Sequence, residues 1–303
     1  MRAIVATDQK AGPEGLTLTD LPYPAADNNE VVVQVCAASM TPGELTWPST
    51  WTDRAGTART VSVPGHEVSG VVAELGYGTT GLSVGQRVFG LTDWSRNGSL
   101  AEYVAVEARN LAPLPANVEH EVAVAAAISG LTAWQALHVH ARPEAGQTIL
   151  IHGVAGAVGY LAAQLARELG AEVIGTGRAR DREVVAGLRA FVDPAGQELT
   201  DVRQVDVVFD VLGGDVLDAS AALVRPGGTL VTITEPPRIL PSDGRGIFFV
   251  VEPDRAQLTE IAHRLGDGRL APRIGAVHPL AAAAAAFGPE APRGRGKTII
   301  RVR

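Results

Sequence analysis

Apolar positions in the first hundred or so residues come in short β-branched runs: Val31–Val35, Val68–Ala73, Gln86–Phe89 and Ala101–Val106. Gly, Pro, Asn and Asp turns separate them and no helical period is sustained, which predicts β-rich structure up to about residue 115. The character changes at Val118. Glu119 to His140 is rich in alanine and leucine, lacks internal proline and is predicted helical. From Gly146 the pattern is strand, glycine turn, helix and strand, repeated. Thr148–His152 reads as a short buried strand. In Ala157–Leu169, Val158, Leu161, Ala162, Leu165 and Leu169 recur at three- and four-residue spacing, which gives a helix one apolar face. Glu172–Thr176, Asp206–Val211, Gly228–Ile233 and Ile247–Val251 are predicted strands, with a helical segment over Asp181–Leu188. Such alternation predicts a parallel, doubly wound sheet and an α/β fold. The tail from 274, ending in Lys297–Val302, is predicted to return as β structure to the first domain, and Ala281–Ala286 to be helical. The expected domains are 1–117 with 274–303, and 118–273; Asp193–Asp206 leaves little room for a full crossover helix.

A chain of 303 residues is long enough to bury a large core without staples. Its one cysteine, Cys36, can form neither an internal disulfide nor a thiolate zinc cage, which fits a reducing compartment. With 33 carboxylates against 26 cations there is no basic excess or stripe, so no nucleic-acid partner is expected. The start of the chain runs straight into strand-like sequence without a signal-peptide pattern. The apolar stretches around Val122–Trp134 and Ala276–Phe287 fall short of the ~20 residues of a membrane span. A cytoplasmic protein with no membrane partner is expected.

The segment Ile149 to Gly159 joins a buried strand to an amphipathic helix through a turn of small residues. There the backbone can approach a pyrophosphate, and the helix N-terminus offers free N–H groups and a positive dipole end. Val154 stands where the first glycine of GxGxxG would be, while Gly156 and Gly159 hold the other two. An NAD site wants an acid about 20 residues further on for the ribose 2′-hydroxyl. Here the second strand ends in Thr176-Gly177-Arg178-Ala179-Arg180-Asp181-Arg182, with no carboxylate at its end. Arginine on a 2′-phosphate gains a charge-assisted bond of ~1.5–3 kcal/mol, roughly 10- to 100-fold in affinity. NADPH is therefore the expected cofactor, with Gly156, Gly177, Arg178 and Arg182 among its contacts.

Further markers extend along the chain: Ala37-Ala38-Ser39-Met40-Thr41-Pro42, Pro64-Gly65-His66-Glu67-Val68-Ser69-Gly70, Gly85-Gln86-Arg87-Val88-Phe89-Gly90, Gly130-Leu131-Thr132-Ala133-Trp134, Val208–Gly214 and Arg295-Gly296-Lys297. Together they make the sequence resemble the medium-chain dehydrogenase/reductase superfamily, in its zinc-independent quinone oxidoreductase-like branch. The resemblance implies a GroES-like β-barrel domain, a Rossmann domain and a cofactor in the cleft between them. His66 matches a zinc ligand of alcohol dehydrogenases in the superfamily, but the cysteine ligands fall at about Thr41 and Ser129. One histidine and one carboxylate are short of the usual three protein ligands, so no metal is expected and His66 is read as a hydrogen-bonded residue. His138 and His140 are read as surface histidines.

Hydride transfer to an acceptor that needs little activation is the chemistry left: a quinone, or the β-carbon of an enone. Thr41 is the candidate polar contact for the carbonyl oxygen; it replaces the family's asparagine, as Glu44 replaces its aspartate. Trp47, Trp51 and Trp94 are read either as walls of the acceptor site or as packing residues. By resemblance Thr132 lies near the nicotinamide, Ala157 and Val158 approach the pyrophosphate, and Val211, Leu212, Gly213, Ile233 and Thr234 line ribose and nicotinamide. Phe248, Phe249 and Val250 would close over the nicotinamide and pair between subunits of a homodimer. Arg295 and Lys297 either reach the cleft or belong to a surface turn. The alternatives are an enoyl-type reductase dedicated to one biosynthetic intermediate, and a non-catalytic NADPH-binding protein.

Overall fold

The computed structural model describes residues 1–194, 202, 204–291 and 295–303. The chain divides into two units, Met1–Ile128 with Pro253–Arg303, and Ser129–Glu252. In chain order the first unit holds β1 (Arg2–Ala6), β2 (Leu16–Asp20), β3 (Glu30–Ser39), the single turn α1 (Pro48–Trp51), β4 (Glu67–Leu75), β5 (Arg87–Leu91), β6 (Tyr103–Glu107) and β7 (Leu111–Pro113). Helix α2 (His120–Trp134) carries the chain into the second unit. There follow β8 (Thr148–Ile151), α3 (Ala157–Glu168), β9 (Glu172–Thr176), β10 (Ala190–Val192), β11 (Val205–Asp210), α4 (Gly214–Ser220), β12 (Val224–Thr232) and β13 (Gly244–Phe248). The chain then returns through α5 (Arg255–Gly266), β14 (Ile274–Pro279), α6 (Ala283–Phe287) and β15 (Lys297–Arg301).

The first unit is built on the order β14-β15-β3-β4-β5-β7, with β6 also pairing β3. Alternate residues of β3 explain its central place: Val31, Val33 and Val35 are fully buried and pack with Val68, Val88, Val104 and Ile300. Each such side chain stabilises by roughly 1.5–3 kcal/mol. The expected return of the tail is met, since β15 lies antiparallel on β3 with Ile300 opposite Ala38. The first unit also takes the start of α2 and all of α5, beyond the boundaries drawn from the sequence. Ser69 holds the His120 ring at 2.7 Å, and Val124 and Ala125 pack on Ala37 and Ile299. Arg255 donates to the carbonyls of Leu111 and Ala108, which anchors α5 beside β7.

The second unit is a parallel sheet in the order β10-β9-β8-β11-β12-β13. The order reverses between β8 and β11, whose residues Ile149, Leu150, Ile151, Val208 and Phe209 are completely buried. Two expectations change here. Asp181–Leu188 contains no α-helix, only a 3₁₀ segment over Ala179–Val184 with no buried residue. Gly187, at φ +71°, ends any continuation. The last strand begins three residues earlier than its apolar run, because Gly244 and Gly246 pair with Gly228 and Leu230. The segment 193–206 lies largely outside the described residues.

Helical structure runs on past α2 through a π-helical stretch, Gln135–Ala141. The resulting 22 residues are long and apolar enough to cross a membrane, which the sequence reading did not expect, but 78% of the most apolar window is buried within the fold. Gln135 is clipped to the chain just before its return: its Nε2 donates to the Glu252 carbonyl at 2.7 Å, and the Glu252 N–H donates to its Oε1 at 3.1 Å. His138 stacks on Trp134 at 3.8 Å and His140 packs on Phe249 at 4.4 Å, so neither is a simple surface histidine.

Candidate functional site

In the first unit, the loop after β3 turns back so that Glu44 is fully buried. Its Oε1 accepts the Gly65 N–H at 2.5 Å and its Oε2 the Thr41 N–H at 3.0 Å. Glu44 thereby ties the Thr41 loop to the turn before β4. The Thr41 hydroxyl is shielded from solvent and has no hydrogen-bond partner among the described residues. His66, also buried, shares a 2.6 Å hydrogen bond between its Nδ1 and the Thr92 hydroxyl. Its Nε2 is 3.8 Å from Glu44 Oε1, and its ring meets Trp94 at 5.1 Å. Trp94 meets Trp47 edge-on at 5.6 Å. Thr41, Glu44, His66, Trp47 and Trp94 thus form one neighbourhood. Trp51 does not join it: its Nε1 donates to the Leu45 carbonyl at 2.8 Å and its ring packs against the core.

Burial pushes the Glu44 carboxyl up to about 7, against the pull of its two backbone N–H donors. Burial drives His66 the other way, down to about 4. For Glu44 the folded state keeps a proton that the unfolded chain has released. The stability this confers is present at acid pH and is lost as pH rises from about 4.5 to about 7. His66 has the opposite sign, its contribution appearing as pH rises through the window from about 4 to 6.5. Comparison with Glu44→Gln isolates the first effect. The wild-type stability minus that of the variant is expected to fall by on the order of 3 kcal/mol between pH 4.5 and 8 in urea titrations. A difference that stays flat with pH would rule out the buried titration.

A metal at this neighbourhood would need donors that are already engaged. Glu44 uses both oxygens on backbone N–H groups, and Glu67 is ion-paired with Lys297. No group of three His, Cys, Asp or Glu side chains among the described residues is placed to hold a metal ion. The residues do not fit a catalytic zinc, which takes three protein donors. Lys297 itself is neither in a surface turn nor exposed, being 7% accessible against a fully buried Glu67.

In the second unit, the turn between β8 and α3 is made by Gly153 at φ +64°, one position before the residue that the motif would have as glycine. Val154 is instead buried, its side chain so close to Gly175 that a Cβ there would have no room. Gly156 caps α3 without a side-chain bond, so the N–H groups of Ala157, Val158 and Gly159 have no carbonyl ahead of them in the helix. Any side chain at Gly159 would strike the Gly153 carbonyl and lie 2.8 Å from the Val154 Cα. Val211 and Leu212 border this turn, since a Cβ at Gly153 would sit 3.0 Å from Val211 Cγ2 and 3.1 Å from Leu212 Cδ2. These are the donor geometry and close approach that a dinucleotide pyrophosphate requires.

Beneath the loops, the carboxyl ends of the strands carry a buried polar layer that the sequence reading did not single out. Asp210 accepts the N–H groups of Leu212 and Gly213 at 3.1 and 3.0 Å and the Thr232 hydroxyl at 2.9 Å. Thr234 adds a longer contact at 3.4 Å, so 211–213 and 234 are braced by one carboxylate. His152 bridges Thr176 Oγ1 at 3.0 Å and Ser220 Oγ at 2.9 Å. Ser220 donates to the Val216 carbonyl, so it accepts from His152 Nε2–H, and Thr176 donates to the bare Nδ1. Burial lowers the basicity of His152, with Asp210 partly opposing it, which suits this neutral bridge. The sequence signal was available: four apolar strands each end on or beside His, Thr or Asp.

At the end of β9, Gly177 is close to the Phe191 ring and Arg178 is exposed. The Arg178 side chain has no ion-pair or hydrogen-bond partner among the described residues. Arg182 lies over the Phe191 ring, 5.3 Å from its centre. Thr132 is 3% exposed in α2 and Ile233 is half-buried after β12. Phe248 ends β13 and Val250 is exposed, but Phe249 points inward onto His140 instead of standing free for a cofactor.

Residues 27–116 match the family described as alcohol dehydrogenase GroES-like domain, and residues 169–300 the family described as zinc-binding dehydrogenase. The chain is 30% identical to the quinone oxidoreductase of Rattus norvegicus over 246 residues, 77% of this chain and 73% of that protein. It is 38% identical over 175 residues, 55% of its length, to the spectinabilin polyketide synthase system protein NorB of Streptomyces orinoci. It is 36% identical over 231 residues, 69% of its length, to the mycoketide-CoA synthase of Mycobacterium tuberculosis. The chain spans only 8% and 6% of those two proteins. The quinone oxidoreductase structure from Coxiella burnetii superposes with a TM-score of 0.89 at 26% identity, covering 100% of this chain and 99% of that one.

Proposed function

The chain belongs to the quinone oxidoreductase-like branch of the medium-chain dehydrogenase/reductase superfamily, and on that premise we propose that it reduces a quinone or an α,β-unsaturated carbonyl with NADPH. The observation that carries the reading is the bare N-terminus of α3 behind the Gly153 turn, with the unpartnered Arg178 at the end of the next strand. When bound, the nicotinamide supplies the hydride. Ala157 and Val158 N–H groups hold the pyrophosphate, while Arg178 takes the 2′-phosphate. Thr132, the braced loop Val211–Gly213, Ile233 and Thr234 orient the ribose and ring. On the acceptor side Trp47 and Trp94 offer flat faces. The free Thr41 hydroxyl, fixed through Glu44, donates to the carbonyl oxygen on which charge develops. The final proton comes from water or a side chain.

Arg178→Ala is expected to weaken NADPH binding roughly 10- to 100-fold and leave NADH within about twofold, read by cofactor fluorescence titration. Equal losses for both cofactors would remove the 2′-phosphate assignment. The reading as a whole is tested by adding 9,10-phenanthrenequinone and a simple enone to the NADPH-loaded protein. Rapid oxidation by the quinone is the expected result, and absence of NADPH binding overturns it. Identity with parts of a polyketide synthase system protein and of a mycoketide-CoA synthase supports a second reading, a double-bond reductase for one biosynthetic intermediate. Preference for the enone would favour it, whereas tight binding without turnover would point to a non-catalytic role. The open edge strand β13, with exposed Phe248 and Val250 nearby, supports a homodimer formed by strand pairing.

A further inference from the structure

A second groove lies wholly within the first unit, with a cavity volume of about 490 Å³. Leu21, Val61, Ala105 and the ring faces of Tyr23 and Tyr103 give it apolar walls, the two rings 4.9 Å apart. Arg59 lines it and is half-buried. That guanidinium donates to the Arg96 carbonyl at 3.0 Å and to Asn97 Oδ1, both neutral oxygens, and forms no ion pair among the described residues. Burial depresses its basicity, with only a modest opposing pull from Asp53. The groove's other guanidinium, Arg96, is already neutralised by Glu30. No lining residue is acidic.

A cation withdrawn from water without a counter-ion is costly, and a bidentate donor with unused N–H groups suits a carboxylate or sulfonate. Apolar and aromatic surface beside it suits a hydrophobic body. We propose that this groove is a second small-molecule site, selective for an amphipathic monoanion whose head meets Arg59 and whose body lies on Tyr23 and Tyr103. One wall is the loop Ser95–Gly98, and the residue before it, Trp94, touches His66. An occupant therefore leans on the segment that carries one wall of the acceptor neighbourhood.

The test uses 8-anilinonaphthalene-1-sulfonate as the probe, titrated into the whole protein by fluorescence with and without saturating NADPH. Saturable binding of one probe per chain that NADPH does not displace is expected. Arg59→Gln should weaken it about tenfold, with Arg59→Lys intermediate. Ala105→Trp should fill the groove and abolish binding while leaving Arg59 in place, which guards against loss of fold in the first variant. Displacement by NADPH, no saturable binding to the wild type, or unchanged affinity in Ala105→Trp overturns the site. Affinity unchanged in Arg59→Gln overturns its anion selectivity. None of these readouts depends on reductase activity.

Discussion

Replacing Gly159 with valine is expected to abolish measurable NADPH binding, a loss of at least about 100-fold, and to destabilise the protein by roughly 1–3 kcal/mol. The helix α3 lies so close to the turn that a Cβ at this position meets the Gly153 carbonyl and the Val154 Cα, both backbone groups that cannot rotate aside. Relief requires the first turn of α3 to move away from β8. That displaces the N–H groups of Ala157 and Val158, which in the proposed function hold the pyrophosphate, at a cost of one or two charge-assisted hydrogen bonds. Gly156→Ala is the control. Its Cβ would lie 3.2 Å from the same carbonyl, a contact the turn can relieve by a small shift, so a modest loss of affinity is expected. Fluorescence titration with NADPH, alongside thermal melts, separates the two variants. Wild-type affinity in Gly159→Val would show that the turn does not hold the pyrophosphate.

The same turn shows what was legible in the sequence. The strand, the small-residue turn and the periodic helix were readable because each follows from local spacing, and so was the alternation that makes the parallel sheet. The role of Gly153 was hidden: the motif places its first glycine at Val154, and only the fold shows that the preceding residue takes the positive φ. Asp210 and His152 lie within or beside apolar runs and reveal their work only when neighbouring strands bring Thr232 and Thr176 to them and the end of α4 brings Ser220. Tryptophan gives no such directional signal. Trp47 and Trp94 meet near His66, while Trp51, only four residues after Trp47, turns into the core. The assignment of α5 depended on Arg255 reaching carbonyls more than a hundred residues away, which no local pattern encodes.

Lys297→Met is expected to cost 3–5 kcal/mol, on the order of the penalty for stranding a buried charge. Lys297 opens β15 and Glu67 opens β4, two strands that flank β3. Glu67 is completely buried, and its other oxygen accepts the Ile128 N–H at 3.0 Å, so removing the ammonium leaves a carboxylate with neither water nor counter-ion. The penalty belongs to the orphaned partner more than to the lost attraction. It follows that Glu67→Gln with Lys297→Met should recover most of the loss, because the amide still accepts the Ile128 N–H and carries no charge. Urea unfolding followed by tryptophan fluorescence, run as a double-mutant cycle, gives the coupling directly. A single-variant loss below about 1 kcal/mol would show that water reaches Glu67 and that the pair is dispensable. A full loss not recovered in the double variant would instead assign the stabilisation to the packing of the lysine stem beneath β15.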